Sequence, residues 1–313
     1  VIFATQMKGA SFTPSLPVEP AIPGAFYKSV EAKISSATSR SFPIVNRTAL
    51  HGGCINKAER LESDDRSYFM KRNNESFLIH FEEEQAALDE LSGAEAIRVP
   101  RPICSGIAEN QSYLILEFIS IGQPTDTSWE LLGQQLAQLH YSVLPNFGWH
   151  RDNTVGGTKQ INKVSDDWIS FFGNRRLLHQ MDLAQKNGFK LKNGTQLLES
   201  LSSFFDGYSP SPSRLHGDLW SGNVGFDTNG DPFVFDPCCY YGDRETDLAL
   251  SEFFGGFHPK FYAAYNEAYP LDRGYMKRKI LYNLYHCLNH FNLFGSPYDS
   301  QSQLMTNQLL KFV

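Results

Sequence analysis

The stretch LHGDLWSGNVGFDTNGDPFVFDP, residues 215–237, decides how the rest of the chain is read. It sets a carboxylate, Asp218, in a His-Gly-Asp turn, places Asn223 five residues on, and ends an apolar run with Asp236. The H-x-D-x-x-x-x-N spacing is the one with which a phosphoryl-transfer loop presents a proton acceptor and an amide that holds magnesium. Two short apolar runs, 224–226 and 233–235, flank Asp-Thr-Asn-Gly-Asp, which predicts a hairpin turning at Asn229-Gly230. Such a hairpin returns Asp236 to the neighbourhood of Asn223. Two oxygen ligands at one point suit a hard cation such as Mg²⁺, which takes its other ligands from water and nucleotide phosphates. A Gly-Asp turn alone is commonplace; the downstream Asn and the hairpin-delivered Asp make the combination specific.

Composition bounds the surroundings. At 313 residues the chain is long enough for two lobes, and 41% apolar with 20% charged residues is the makeup of an ordinary globular protein. A net charge of -6 argues against nucleic acid or an anionic membrane as partner. No run of eighteen apolar residues offers a transmembrane span. The five cysteines, at 54, 104, 238, 239 and 287, follow neither a disulfide framework nor a metal-ligand spacing. They read as reduced thiols of an intracellular protein, with Cys54 as the exception to weigh.

Residues 1–43 are rich in hydroxyls and poor in acids. They read either as a leader of the kind that directs proteins to plastids or other organelles, or as an N-terminal arm with a first helix. Residues 44–120 form a nucleotide-covering lobe in this reading: a small antiparallel sheet with one helix. A strand leads to Gly52-Gly53-Cys54, and a second strand carries Lys71 near its end. Glycines let backbone approach phosphates and a lysine contacts them, although Gly52-Gly53 departs from the G-x-G-x-x-G form. Residues 77–91 follow as a helix in which Glu84, rather than Glu82 or Glu83, is expected to pair with Lys71. Two more strands end at Glu117, Phe118 and Ile119, whose peptide groups are expected to face an adenine edge.

Residues 121–313 read as a larger, mainly helical catalytic and substrate-binding lobe, so the fold class is α+β and bilobal. His140, on a helix over 129–141, reads as a hydrogen-bonded core histidine. The glycine-rich, aromatic stretch 146–158 reads as a binding loop. Asp243, Glu245 and Asp247 open an apolar helix; capping accounts for such acids, and a sharper reading has Asp247 turning inward to bond the backbone of the catalytic loop.

With these residues in place the chain resembles the fructosamine kinase family, the ketosamine 3-kinases, from about residue 44 onward. The resemblance is carried by HGGCIN (51–56), FMKRN (69–73), FEEEQAALDEL (81–91), FGWHRDNTVGGTKQIN (147–162), DDWISFF (166–172), LHGDLWSGNVGF (215–226), FDPCCYYGDRETDLAL (235–250) and LYHCLNHFNLFG (284–295). It implies a protein-kinase-like fold and ATP-dependent phosphorylation of the 3-hydroxyl of a ribulosamine or fructosamine, free or on lysine side chains of glycated proteins, as deglycation repair. Asp218 would be the base, Asn223 and Asp236 the Mg²⁺ ligands, and Lys71 with Glu84 the phosphate clamp. Trp220, Asp152 and Asn153 would face the sugar, with His216 and Asp247 as supports. Cys238-Cys239 stands where the family usually has small residues and reads as apolar filler. Cys54, in the glycine turn, is a redox candidate whose disulfide to a second subunit would hold the turn away from ATP. Two other readings stay open: a small-alcohol kinase of the aminoglycoside or choline type, and a redox-responsive nucleotide-binding module.

Overall fold

Between Asn46 and Glu117 the apolar runs assemble into one five-stranded antiparallel sheet. Its strands are β1 (Asn46–Leu50), β2 (Lys57–Glu62), β3 (Ser67–Asn74), β4 (Pro102–Ala108) and β5 (Gln111–Glu117), in the order β1-β2-β3-β5-β4. The computed structural model describes residues 24–50 and 55–313. These divide into two units, one running up to Ala86 and resuming over Pro100–Ser120, the other comprising Ala87–Val99 and Ile121–Val313.

In the first unit the central strands β3 and β5 are buried over consecutive residues, as strands covered on both faces are. The β4–β5 turn puts Glu109 and Asn110 at positive φ, the geometry a tight hairpin requires. Helix α1 (Gly24–Thr38) places Phe26, Val30 and Ile34 on one stripe, and they pack with Phe42, Leu61, Met70, Cys104 and Ile115. The helix expected over 77–91 is α2 (Leu78–Ser92), so α1 adds a second to the one anticipated for this lobe. The four-residue apolar spacing of α1 lies in the stretch read either as a leader or as an arm with a first helix.

The second unit is mainly helical. Helix α3 (Asp126–Tyr141) starts at a reciprocal cap between Thr125 and Ser128 and buries Leu132, Leu136, Leu139 and His140. A short hairpin, β6 (Asn153–Val155) with β7 (Thr158–Gln160), occupies the glycine-rich stretch. Then come α4 (Trp168–Phe172), a π-helical turn over Gly173–Leu178, α5 (His179–Lys186) and α6 (Gly194–Glu199). Strand β8 (Ser213–Leu215) precedes the His-Gly-Asp turn, β9 (Val224–Phe226) pairs with β10 (Pro232–Val234), and β11 (Tyr240–Gly242) returns to β8. Helices α7 (Glu245–Phe253), α8 (Pro259–Ala268), α9 (Tyr275–Phe294) and α10 (Tyr298–Leu309) complete it. Gly133 lets α3 and α8 close up, because a Cβ there would stand 2.4 Å from the Phe261 carbonyl oxygen.

The β9–β10 connection is wider than an Asn229-Gly230 two-residue turn. The Asp227 carboxylate accepts the Asn229 and Asp231 N–H groups, its own N–H bonds the Asp231 carbonyl, and Arg98 pairs with it at 2.8 Å. Asp227 therefore organises a five-residue loop, where the dipeptide alone predicts a tighter one. Cys104, Cys238, Cys239 and Cys287 are free and buried. No described helix is long and apolar enough to cross a membrane.

Candidate active site

The His-Gly-Asp turn follows directly from β8 and is held from beneath by α7. Asp247, in the first turn of that helix, accepts the backbone N–H of His216 at 2.7 Å and of Gly217 at 2.9 Å, and His140 Nε2 donates to it at 3.2 Å. Burial by itself would raise the Asp247 pKa, but the bonds from His140 and the Gly217 N–H hold the carboxyl below its ordinary value. Behind it, Arg244 donates to the Tyr265 hydroxyl, which stands 2.8 Å from His140 Nδ1. Burial pushes the His140 pKa down, so the ring is neutral, with its proton on Nε2 and Nδ1 accepting from Tyr265.

His216 is a second neutral, buried imidazole. Its Nδ1 accepts the Asp218 N–H, so Nε2 carries the proton and donates to the Phe235 carbonyl at 3.0 Å. Its own carbonyl accepts the Cys238 N–H. One residue thereby ties the turn to both sides of Asp236, which sits at φ +56°, a left-handed conformation that Asp tolerates better than most residues. Gly217, at φ +83°, lies so close to the Cys238 carbonyl that a Cβ would approach its oxygen to 2.2 Å.

Asn223 caps the arrangement. Its Nδ2 donates to the Asp218 carboxylate at 2.9 Å and to the Asp218 carbonyl at 2.8 Å, leaving Oδ1 as the atom able to ligate a cation. The Phe235 N–H bonds the Asn223 carbonyl, which extends the β9–β10 ladder to the residue before Asp236. Burial pushes the Asp218 pKa up to about 7; the Asn223 bond opposes this, and the Asp236 and Asp247 charges add to it. An amide oxygen and one carboxylate form an incomplete set of hard donors, the set that suits Mg²⁺ carried in with phosphate oxygens. Among the described residues no three His, Cys, Asp or Glu side chains form a cage of their own.

In the first unit, Lys71 Nζ lies 2.7 Å from Glu84 Oε1, and both side chains are largely buried. Glu83 pairs with His80 instead. Strand β5 ends at Glu117, whose N–H is taken by the Arg101 carbonyl; Phe118 lies under the Arg60 guanidinium and Ile119 is buried. Gly52, Gly53 and Cys54 lie outside the described residues.

Trp220 is half-buried, edge-on to Phe254 at 5.9 Å, with its ring over Gly222. Asp152 stays partly exposed, bonded by the Asn162 N–H and paired with Lys159 at 3.0 Å. Asn153, expected to face a sugar, does not. It is 2% exposed, its Nδ2 donates to the Cys239 carbonyl, and its Oδ1 accepts from both Gln160 and Asn162. Gln160, Asn162 and Arg176, which complete this buried cluster, were not anticipated. Their one signal is the density of amides in a stretch too glycine-rich to be a helix.

The family model for fructosamine kinase matches residues 26–312. The probable ketoamine kinase slr1563 of Synechocystis sp. is 41% identical over 91% of this chain and 97% of its own length. The chloroplastic protein-ribulosamine 3-kinase of Arabidopsis thaliana is 40% identical over 84% of this chain and 82% of its own. A crystal structure of a fructosamine-3-kinase homologue from Haemophilus somnus 129PT superposes with a TM-score of 0.85 at 29% identity, covering 91% of this chain and 98% of that one. Aminoglycoside phosphotransferase APH(4)-Ia, at 16% identity and a TM-score of 0.56 over 91% of this chain and 99% of that one, shares the fold.

Proposed function

From the premise that the chain belongs to the fructosamine kinase family, we propose that it transfers the γ-phosphoryl group of ATP to the 3-hydroxyl of a ketosamine, a ribulosamine or fructosamine carried on lysine. The observation that carries this reading is Asp218, bonded through its carboxylate to Asn223 on a loop that Asp247 and His216 brace, with Asp236 following the hairpin.

Each residue then has one task. Asp218 orients the sugar hydroxyl and accepts its proton as the bond to phosphorus forms. Asn223 Oδ1 and the Asp236 carboxylate hold magnesium, which when bound neutralises charge on the phosphate oxygens. Lys71, its ammonium fixed by Glu84, supplies positive charge to the non-transferred phosphates, and the peptides after Glu117 face the adenine edge. Trp220 gives the polyol an apolar wall, and the partly exposed Asp152, paired with Lys159, offers a second sugar contact. Positioning and charge neutralisation are what a loose phosphoryl-transfer transition state needs. Removal of the phosphorylated sugar would make the reaction a repair of glycated protein, and the plant relatives favour a plastid as its place.

The test is ATP turnover with magnesium on ribulosyl-lysine, fructosyl-lysine and free alcohols, with the phosphate position read by NMR. Phosphorylation of a free alcohol in preference to both ketosamines would overturn the substrate assignment. Asp218→Asn should lower kcat by about 10²–10⁴-fold at little cost in folding; unchanged turnover would refute the mechanism.

A further inference from the structure

We infer that the buried amides Asn153 and Gln160, braced by Asn162 and Arg176, are positioning residues for Asp236 and thereby set the affinity for magnesium-nucleotide. This rests on the proposed role of Asp236 as a metal ligand and explains why a stretch that reads as a substrate loop is spent inside the protein.

The two residues after Asp236-Pro237 present their carbonyls to one hairpin. Gln160 Nε2 donates to the Cys238 carbonyl at 3.1 Å, and Asn153 Nδ2 to the Cys239 carbonyl at 2.8 Å. The same Gln160 nitrogen donates to Asn153 Oδ1 at 2.9 Å, and Asn162 Nδ2 reaches that oxygen at 2.8 Å. Gln160 Oε1 takes the Tyr285 hydroxyl at 2.8 Å, so neither amide can flip without losing several bonds at once. Gln160 is 1% exposed and Asn162 is fully buried, so no water substitutes for a lost donor.

Arg176 locks the assembly. The π-helical turn over Gly173–Leu178 rolls it inward, where its guanidinium donates to the Ile161 carbonyl at 2.6 Å and to Asn162 Oδ1 at 2.7 Å. It is fully buried, its charge lies over the Tyr240 ring at 4.2 Å and the Phe171 ring at 4.7 Å, and its Nε has no hydrogen-bond partner. A buried cation held by rings and carbonyls stabilises little by itself. It does fix Asn162, and through Asn162 the hairpin amides, in one orientation. The Cys238 carbonyl they grip is the one against which Gly217 packs, and the Cys238 N–H is bonded to His216. The backbone around Asp236 is therefore held by His216 on both sides and, two and three residues on, by this cluster as well. Outer groups that orient metal ligands are typically worth 10–100-fold in affinity.

The experiment is calorimetric titration of the full chain with ADP, with and without Mg²⁺, alongside kcat, the KM for ketosamine and thermal unfolding. Gln160→Met keeps the side-chain volume and removes both donors. It should weaken Mg·ADP binding about tenfold or more, leave metal-free ADP binding and the ketosamine KM unchanged, and give a kcat that recovers toward wild type at high Mg²⁺. Asn153→Ser, which loses the Cys239 bond, should shift the same way and carries the test should Gln160→Met not fold. Gln180→Met is the control: it removes an equally buried amide, bonded to Asn289 and Asn292, and should lower stability alone. Should Asp236→Asn lose the Mg²⁺ response while the hairpin variants keep it, the positioning role is overturned and the metal assignment stands. An unchanged response in Asp236→Asn overturns the metal assignment itself.

Discussion

Replacing Asp247 by Asn tests the foundation on which the His-Gly-Asp turn rests. The carboxylate is 1% exposed and accepts three N–H groups, two from the backbone of His216 and Gly217 and one from His140. An amide of the same shape has one accepting oxygen, and its NH₂ must face a backbone N–H. At least one buried donor is orphaned, and the remaining bonds lose their charged partner. One unsatisfied buried donor costs about 1–3 kcal/mol and a charge-assisted bond contributes somewhat more than a neutral one, so the expected loss is about 2–4 kcal/mol. At roughly 2–4 °C per kcal/mol for a unit of this size, the melting temperature should fall by about 4–16 °C. Because Asp218 sits one residue beyond Gly217, kcat should fall as well, with the KM for ATP much less affected. Scanning calorimetry and a coupled ADP assay read both. A variant that melts with wild type, or that loses stability while keeping full kcat, would refute the claim that Asp247 holds the loop in its working conformation.

Two further perturbations follow from the same geometry. Gly217→Ala combines a positive φ with a Cβ 2.2 Å from a carbonyl oxygen, so a loss of about 2–4 kcal/mol in denaturant titration is expected, with activity below detection; near-wild-type stability would show that the turn is free to move. Acid should withdraw the stability contributed by the buried neutral histidines from pH 6.5 downward, against the opposite contribution of carboxyls that burial raises, Asp218 among them. Burial pushes His286 down to about 3 and lowers His140 and His216, so the unfolded chain takes up protons that the folded one refuses, and stability present above 6.5 is lost as the pH falls. His286 alone accounts for a loss on the order of 4 kcal/mol by pH 3, and His286→Leu should flatten the decline of melting temperature with pH. An equal slope in that variant would count against the buried neutral ring.

The parts legible before folding were those whose partners lie close in the chain or whose roles follow from spacing. Asp218 and Asn223 are five residues apart, and the apolar runs around 227–231 bring Asp236 back, so local geometry carries the loop. Lys71 with Glu84 was readable only through the lysine–glutamate pair of kinase-like folds, since Glu82, Glu83 and Glu84 are adjacent, and Asp247 because an acid ahead of an apolar helix has either a cap to make or a neighbour to hold. Helix α1 was legible only as one of two alternatives, since Phe26, Val30 and Ile34 show their purpose once a sheet exists for them to cover.

Burial of polar groups needed the tertiary structure. Asn153 and Asp152 are neighbours of similar shape and polarity in a glycine-rich loop, and nothing in their order says that one is enclosed and the other open. That difference arises from chain distant in sequence: the carbonyls of Cys238 and Cys239, the Tyr285 hydroxyl and an arginine rolled inward by a π-turn. A hydrogen bond between residues 78 to 125 positions apart leaves no trace in periodicity or composition. The sequence by itself pointed to a kinase of this family, because its motifs are local; the packing decided which of its polar residues are enclosed, because their partners lie far along the chain.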